Sequence, residues 1–184
     1  GPDKNRIRIT TNMRLYWDRI QIATRVSNAD VVTTELHPDK AELRFLGYPA
    51  AYSPDGKAPP LYDYSEVAAT ELWDAHAGAY TRYGDVRELV EAVDDRYVIA
   101  RHGDELALSF DADLLPPLPA GWRRTFLVYS DGFGKDMDLN SAKPHTVEPL
   151  PFHGMSAYPY PPGEHYPDTE SHRRYRETYN TRLY

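Results

Sequence analysis

Apolar and polar residues alternate with period two in several short stretches of this chain, each cut off by proline, glycine or a polar turn. That pattern predicts half-buried strands. Ile7 and Ile9 alternate with Arg6 and Arg8, and Met13, Leu15 and Trp17 hold the odd phase. The apolar set then moves to Ile20 and Ile22, so a bulge or break is expected near Asp18 or Arg19, and residues 6–24 read as two strands. Further strands are expected at Val31–Leu36 and Ala41–Leu46, around the turn-like His37-Pro38-Asp39. Tyr97–Ala100 and Glu105–Phe110 read as a hairpin about His102-Gly103-Asp104, and Trp122–Tyr129 reads as a buried strand.

Helical spacing is rarer. Val86, Leu89, Val90 and Val93 lie three and four apart within Tyr83–Val93, with Asp85 placed as an N-cap, and a second short helix is expected at Ser171–Tyr179. Pro49–Tyr64 reads as a loop with a strong turn at Ser53-Pro54-Asp55-Gly56, whereas Val67–Trp73 is ambiguous. Leu114–Gly121 reads as a proline linker and Asp131–Asn140 as a polar loop.

The expected fold is therefore mainly β: an antiparallel β-sandwich, jelly-roll or galactose-binding-like, with one or two short helices. Trp17-Asp18-Arg19-Ile20-Gln21-Ile22 resembles the terminal strand of galactose-binding-like jelly rolls. Residues 1–5 read as a scar and linker, because Gly1-Pro2 resembles the remnant of protease cleavage. Residues 6–143 read as the sandwich, and residues 144–184 as an extended proline- and tyrosine-rich tail packed on it.

Composition sharpens this picture. Among 184 residues, 16 are proline and 15 tyrosine, so strands should be short and loops long and ordered. A formal net charge of −7 argues against a general nucleic-acid binder and against docking on an anionic membrane. No apolar run reaches spanning length, so no membrane insertion is expected. The chain has no cysteine, which excludes disulfides and thiol nucleophiles and leaves the compartment open.

Chemistry-bearing patterns are sparse. Asp136, Asp138 and Asn140 place oxygen donors at alternate positions, as a calcium loop does, with Gly132 and Gly134 to let the chain curl. Ser141 stands where an EF-hand needs glycine, so an EF-hand is excluded; a looser calcium loop and a solvated turn both fit. The seven histidines show no zinc spacing. Asp94-Asp95 and Asp104-Glu105 are neighbours that should point to opposite faces, which makes poor acid/base dyads. No nucleophile elbow, phosphate loop or dinucleotide fingerprint occurs, so nothing in the sequence argues positively for catalysis. An enzyme of unknown reaction would need a deep polar pocket where several of Asp18, Asp85, His102 and Asp104 converge.

Tyr16, Trp17, Tyr62, Trp73, Tyr80 and Tyr83 form the candidate ligand surface. Aromatic faces beside carboxylates and arginine suit a glycan; packing of the same rings against prolines is the structural alternative.

Several segments carry a family resemblance: residues 6–18 (Arg6 through Asp18), residues 80–89, Asp94-Asp95-Arg96-Tyr97-Val98-Ile99, Gly103-Asp104-Glu105, Gly121-Trp122-Arg123-Arg124 with the Asp131 loop, and Thr146-Val147-Glu148-Pro149-Leu150-Pro151. Together they resemble the C-terminal region of large bacterial proteins that carry FG-GAP repeats and an ASPIC/UnbV segment. The resemblance implies export, and so an extracytoplasmic place, and the UnbV association adds a biosynthetic role. It assigns no reaction. The Gly1-Pro2 scar, the tyrosine-rich loops and the missing catalytic motifs lead to a non-catalytic accessory or binding domain of a larger exported protein with glycan-like ligands, the alternative being a structural module docking on its own upstream propeller.

Overall fold

The computed structural model describes residues 31–57, 60–70 and 74–184. The strands expected at residues 6–24, together with Tyr16, Trp17 and Trp73, lie outside the described residues.

The described residues are mainly β, with seven strands and one α-helix. β1 (Lys40–Phe45) is central, because Ala41 and Leu43 point inward while their neighbours face solvent. It lies between β5 (Gly84–Asp85) and β6 (Asp104–Ser109), antiparallel to both. β2 (Tyr48–Tyr52) and β3 (Leu61–Ala68) form a separate hairpin. β4 (Ala79–Tyr80) pairs with β7 (Arg182–Leu183), four residues past helix α1 (Glu170–Tyr179) at most. The expectation of antiparallel β structure with little helix holds. The described strands form one three-stranded and two two-stranded sheets.

Two apolar clusters hold the body together. In the first, Ala41 and Leu43 of β1 meet Val86, Leu89 and Tyr175 of α1. In the second, Tyr80 of β4 meets Val147, Leu150, Phe152 and Tyr166. The segment beyond Pro144 therefore supplies residues to both clusters.

The helix begins where Thr169 accepts the His172 N–H as N-cap, and it buries Tyr175. The Tyr175 hydroxyl donates to the Tyr97 carbonyl at 2.8 Å and accepts the Tyr97 N–H at 3.2 Å. It serves as the hydrogen-bond partner a neighbouring strand would otherwise provide. Burial pushes its ionisation up to about 12, so it stays a donor at neutral pH.

Several expectations are corrected. Tyr97–Ala100 does not pair with Glu105–Phe110: Thr81 exchanges backbone and side-chain bonds with Ile99, and β6 pairs with β1 instead. Gly103, at φ 88°, closes the tight turn into β6, and its carbonyl accepts from Leu46 and Gly47. The Tyr83–Val93 helix is reduced to a three-residue 3-10 turn, Arg87–Leu89, because β5 and the Val86 N–H are drawn onto β1. Asp85 nonetheless accepts the Arg87 N–H, as a cap would. Pro49–Tyr64 is not a loop throughout but most of the β2–β3 hairpin, with a register shift beside Pro49 and the expected turn at Ser53–Gly56. Val31–Leu36 forms no strand. Trp122–Tyr129 joins no sheet among the described residues, and it is exposed rather than buried.

Tyr175→Phe is expected to lower stability by about 1–3 kcal/mol, because two buried backbone groups of Tyr97 lose their partner. Tyr175→Ala should cost about 3–5 kcal/mol, since the ring is lost as well. Urea titrations of the three proteins check both.

Candidate functional site

Two polar clusters stand out. The first lies where β6 meets the C-terminal strand. The Asp104 side chain is fully buried and forms a two-pronged pair with Arg182, at 3.0 and 2.5 Å. The Tyr83 hydroxyl donates to the same carboxylate at 2.8 Å, and the Arg101 N–H at 2.8 Å. The Arg182 guanidinium also sits 4.1 Å above the Tyr83 ring, with Tyr80 and Tyr184 beside it. Burial, then the Asp104 charge, raises the Tyr83 ionisation well above the usual phenol range. The Asp104 carboxylate takes two Arg182 N–H groups, the Tyr83 hydroxyl and the Arg101 N–H, so the cluster acts as a pin between β6 and β7.

The second cluster is open to solvent. His153 Nδ1 lies 2.6 Å from Asp95 Oδ1, and Nε2 lies 2.9 Å from Asp131 Oδ1. Asp95 sits at φ 63°, and the same oxygen accepts the Tyr97 hydroxyl and the His153 N–H. The Tyr166 hydroxyl donates to the Asp95 carbonyl. Phe133 packs edge-on against both Tyr97 and His153. The Asp95 bond, followed by Asp131, raises the His153 pKa above the ordinary histidine value. Both ring nitrogens lie against carboxylate oxygens, so the trio is arranged as an ion-pair chain.

The expected site residues are dispersed. Tyr80 is buried in the second apolar cluster, with its hydroxyl on the His76 carbonyl at 2.8 Å. Tyr83 belongs to the Asp104 pin. Tyr62 lies exposed on β3, with Tyr52 and Tyr64 on the same hairpin. In the Asp131 loop, Asp138 Oδ1 accepts both the backbone and the side-chain N–H of Asn140, at 2.7 and 2.8 Å. Those bonds hold the Asp138 carboxyl below the usual range and describe a turn. The carbonyl of Asp136 faces His76. Among the described residues, no three histidine or acidic side chains are grouped to hold a metal ion.

Asp85, His102 and Asp104 are engaged separately: Asp85 at the Arg87 N–H, His102 stacked on Tyr48, and Asp104 with Arg182. Asp94 turns to Arg96 while Asp95 turns to His153. An open depression of about 400 Å³ is lined by Asp74, Arg101, Met137, His145 and Tyr184, among others. The partnership of Asp95, Asp131 and His153 was not foreseen, since 58 and 22 residues separate the contacts. No local spacing could have revealed it.

Comparison with known proteins returns no match to a family model, a curated protein or a solved structure. The resemblance to FG-GAP and ASPIC/UnbV proteins therefore rests on the sequence motifs quoted above.

Two measurements follow from this geometry. Arg182→Ala should destabilise the fold by about 3–5 kcal/mol, because it strands a buried carboxylate. Thermal melts of the variant and the native chain read this directly. Melting the native chain with calcium and with a chelator should give coinciding midpoints, because Asp138 is already committed to Asn140.

Proposed function

We propose that this chain is a non-catalytic binding module of a larger exported protein, and that it works by docking on another protein surface. The observation that carries the proposal is the exposed ribbon Trp122–Tyr129. Phe126, Leu127, Val128 and Tyr129 are 72%, 93%, 82% and 82% exposed on consecutive positions. Four successive large apolar residues, outside any sheet among the described residues, present an uncovered apolar surface. That is the chemistry of a protein interface. The occupant that fits is a neighbouring region of the same polypeptide, for which the upstream propeller implied by the motif resemblance is the named candidate.

A second reading is supported by the β2–β3 hairpin. Tyr52, Tyr62 and Tyr64 are exposed there. Exposed tyrosine faces suit stacking on a glycan. The jelly-roll architecture belongs to this proposal as well, because its terminal strand was read at residues 17–22. The aliphatic Leu127 and Val128 favour the first reading, since a sugar-binding face gains little from them.

Hydrogen exchange separates the two. In the docking reading, residues 126–129 gain protection when the chain is expressed with the neighbouring region of its polypeptide, and Leu127→Asp with Val128→Asp abolishes the gain. Sugar titration then leaves the intrinsic fluorescence unchanged. Protection that stays flat while sugars quench fluorescence would overturn docking in favour of the glycan.

A further inference from the structure

The Asp95–His153–Asp131 chain joins two parts of the molecule. Asp95 belongs to the body: it is bound to Tyr97, to the His153 backbone and, through its carbonyl, to Tyr166. Asp131 begins the arm that runs directly on from the exposed ribbon, and Tyr129 is its other side-chain partner, at 3.4 Å. Phe133 rests on the His153 ring, and further along Lys135 reaches the Val147 and Glu148 carbonyls at 3.3 and 3.4 Å.

A neutral imidazole has one N–H and one bare lone pair. Here both ring nitrogens face carboxylate oxygens within hydrogen-bond distance, so both contacts require the imidazolium form. We propose that His153 is a protonation-dependent latch that holds the arm beginning at Asp131 against the body. The charged groups acting on the ring are Asp95 from the body and Asp131 from the arm, and both favour the cation.

On deprotonation only one contact survives. Asp95 keeps its partner, because it is the less exposed carboxylate, at 16% against 31%, and its oxygen is already placed by Tyr97 and the His153 N–H. The remaining proton stays on Nδ1, the lone pair of Nε2 faces Asp131, and like meets like. Asp131 swings out, and the arm loses its tie at that end while Lys135 still holds it further along. The sign follows from the raised pKa: the latch is closed below the ordinary histidine range and opens as pH rises through the folded-state value. Because the arm continues the ribbon, the latch sets how the docking surface is presented. Only that purpose rests on the docking reading.

Asp131→Asn gives the sharpest test. A carboxamide can accept from the imidazolium and can donate to the bare nitrogen of the neutral ring, so it keeps the contact in both states. Hydrogen exchange of residues 129–135, corrected for intrinsic rate, is followed from about pH 6 to about pH 8.5, with the His153 ring titrated by NMR in the same samples. The expected result is a severalfold loss of protection in the native chain that tracks the His153 titration, with none in Asp131→Asn. Amides of the Tyr175 helix should not respond in either protein. Constant protection in the native chain, or the same loss in Asp131→Asn, overturns the latch. No partner enters this measurement, so its failure is distinct from a failure of the docking reading.

Discussion

The buried Asp104–Arg182 pair is the constraint that the rest of the structure answers to. A carboxylate removed from water is tolerated only when its lone pairs are filled. Here two guanidinium N–H groups, the Tyr83 hydroxyl and the Arg101 N–H fill them. Each donor comes from a different stretch of chain, so meeting that one demand fixes β7 beside β4, the turn before β6 and the segment after Tyr80. With β7 held in place, α1 is brought over β1, and Tyr175 enters the first apolar cluster. The C-terminal residues thus help to assemble the body they pack against.

A second consequence comes from the prolines. They limit the length of any ladder, and the described sheets are correspondingly small. Backbone groups left without a strand partner must still be satisfied. Hydroxyls do that work: Tyr175 serves both groups of Tyr97, Thr81 serves Ile99, Tyr80 serves His76, and Tyr158 serves the carbonyl of Pro149. Tyrosine is suited to this because its ring adds apolar area while its tip reaches a carbonyl. The joint abundance of proline and tyrosine in the sequence is one structural solution rather than two peculiarities.

That solution explains which parts of the fold were legible in the sequence. β1 was, because Ala41 and Leu43 bury one face and the period-two signal follows burial directly. The C-terminal helix was also placed to within one residue, Glu170–Tyr179 against the expected Ser171–Tyr179, with Thr169 as its cap. Residues 97–100 were expected as a hairpin strand, but Ile99 is bonded to a threonine side chain and backbone, which alternation cannot identify. Trp122–Tyr129 shows the converse error. Its composition is that of a buried strand, and composition records what a segment is suited to contact, not whether that contact lies in the same chain. The His153 trio was invisible for a simpler reason, since its members meet only through the packing of distant loops.

The exposed ribbon and the ion-paired arm are best understood together. Apolar burial is non-directional and hard to reverse by small changes of condition, so a segment held by it stays put. A segment held by a solvent-facing histidine between two carboxylates is fixed only while one proton is present. In this chain the body is built by the first kind of interaction, around Leu43, Val86 and Tyr175, and the arm after the ribbon is held in part by the second. A strand-like apolar segment left wholly free would invite indiscriminate pairing. Tethering its far end through a titratable contact constrains the geometry in which it can meet a partner, and it does so without covering the surface that the partner would need.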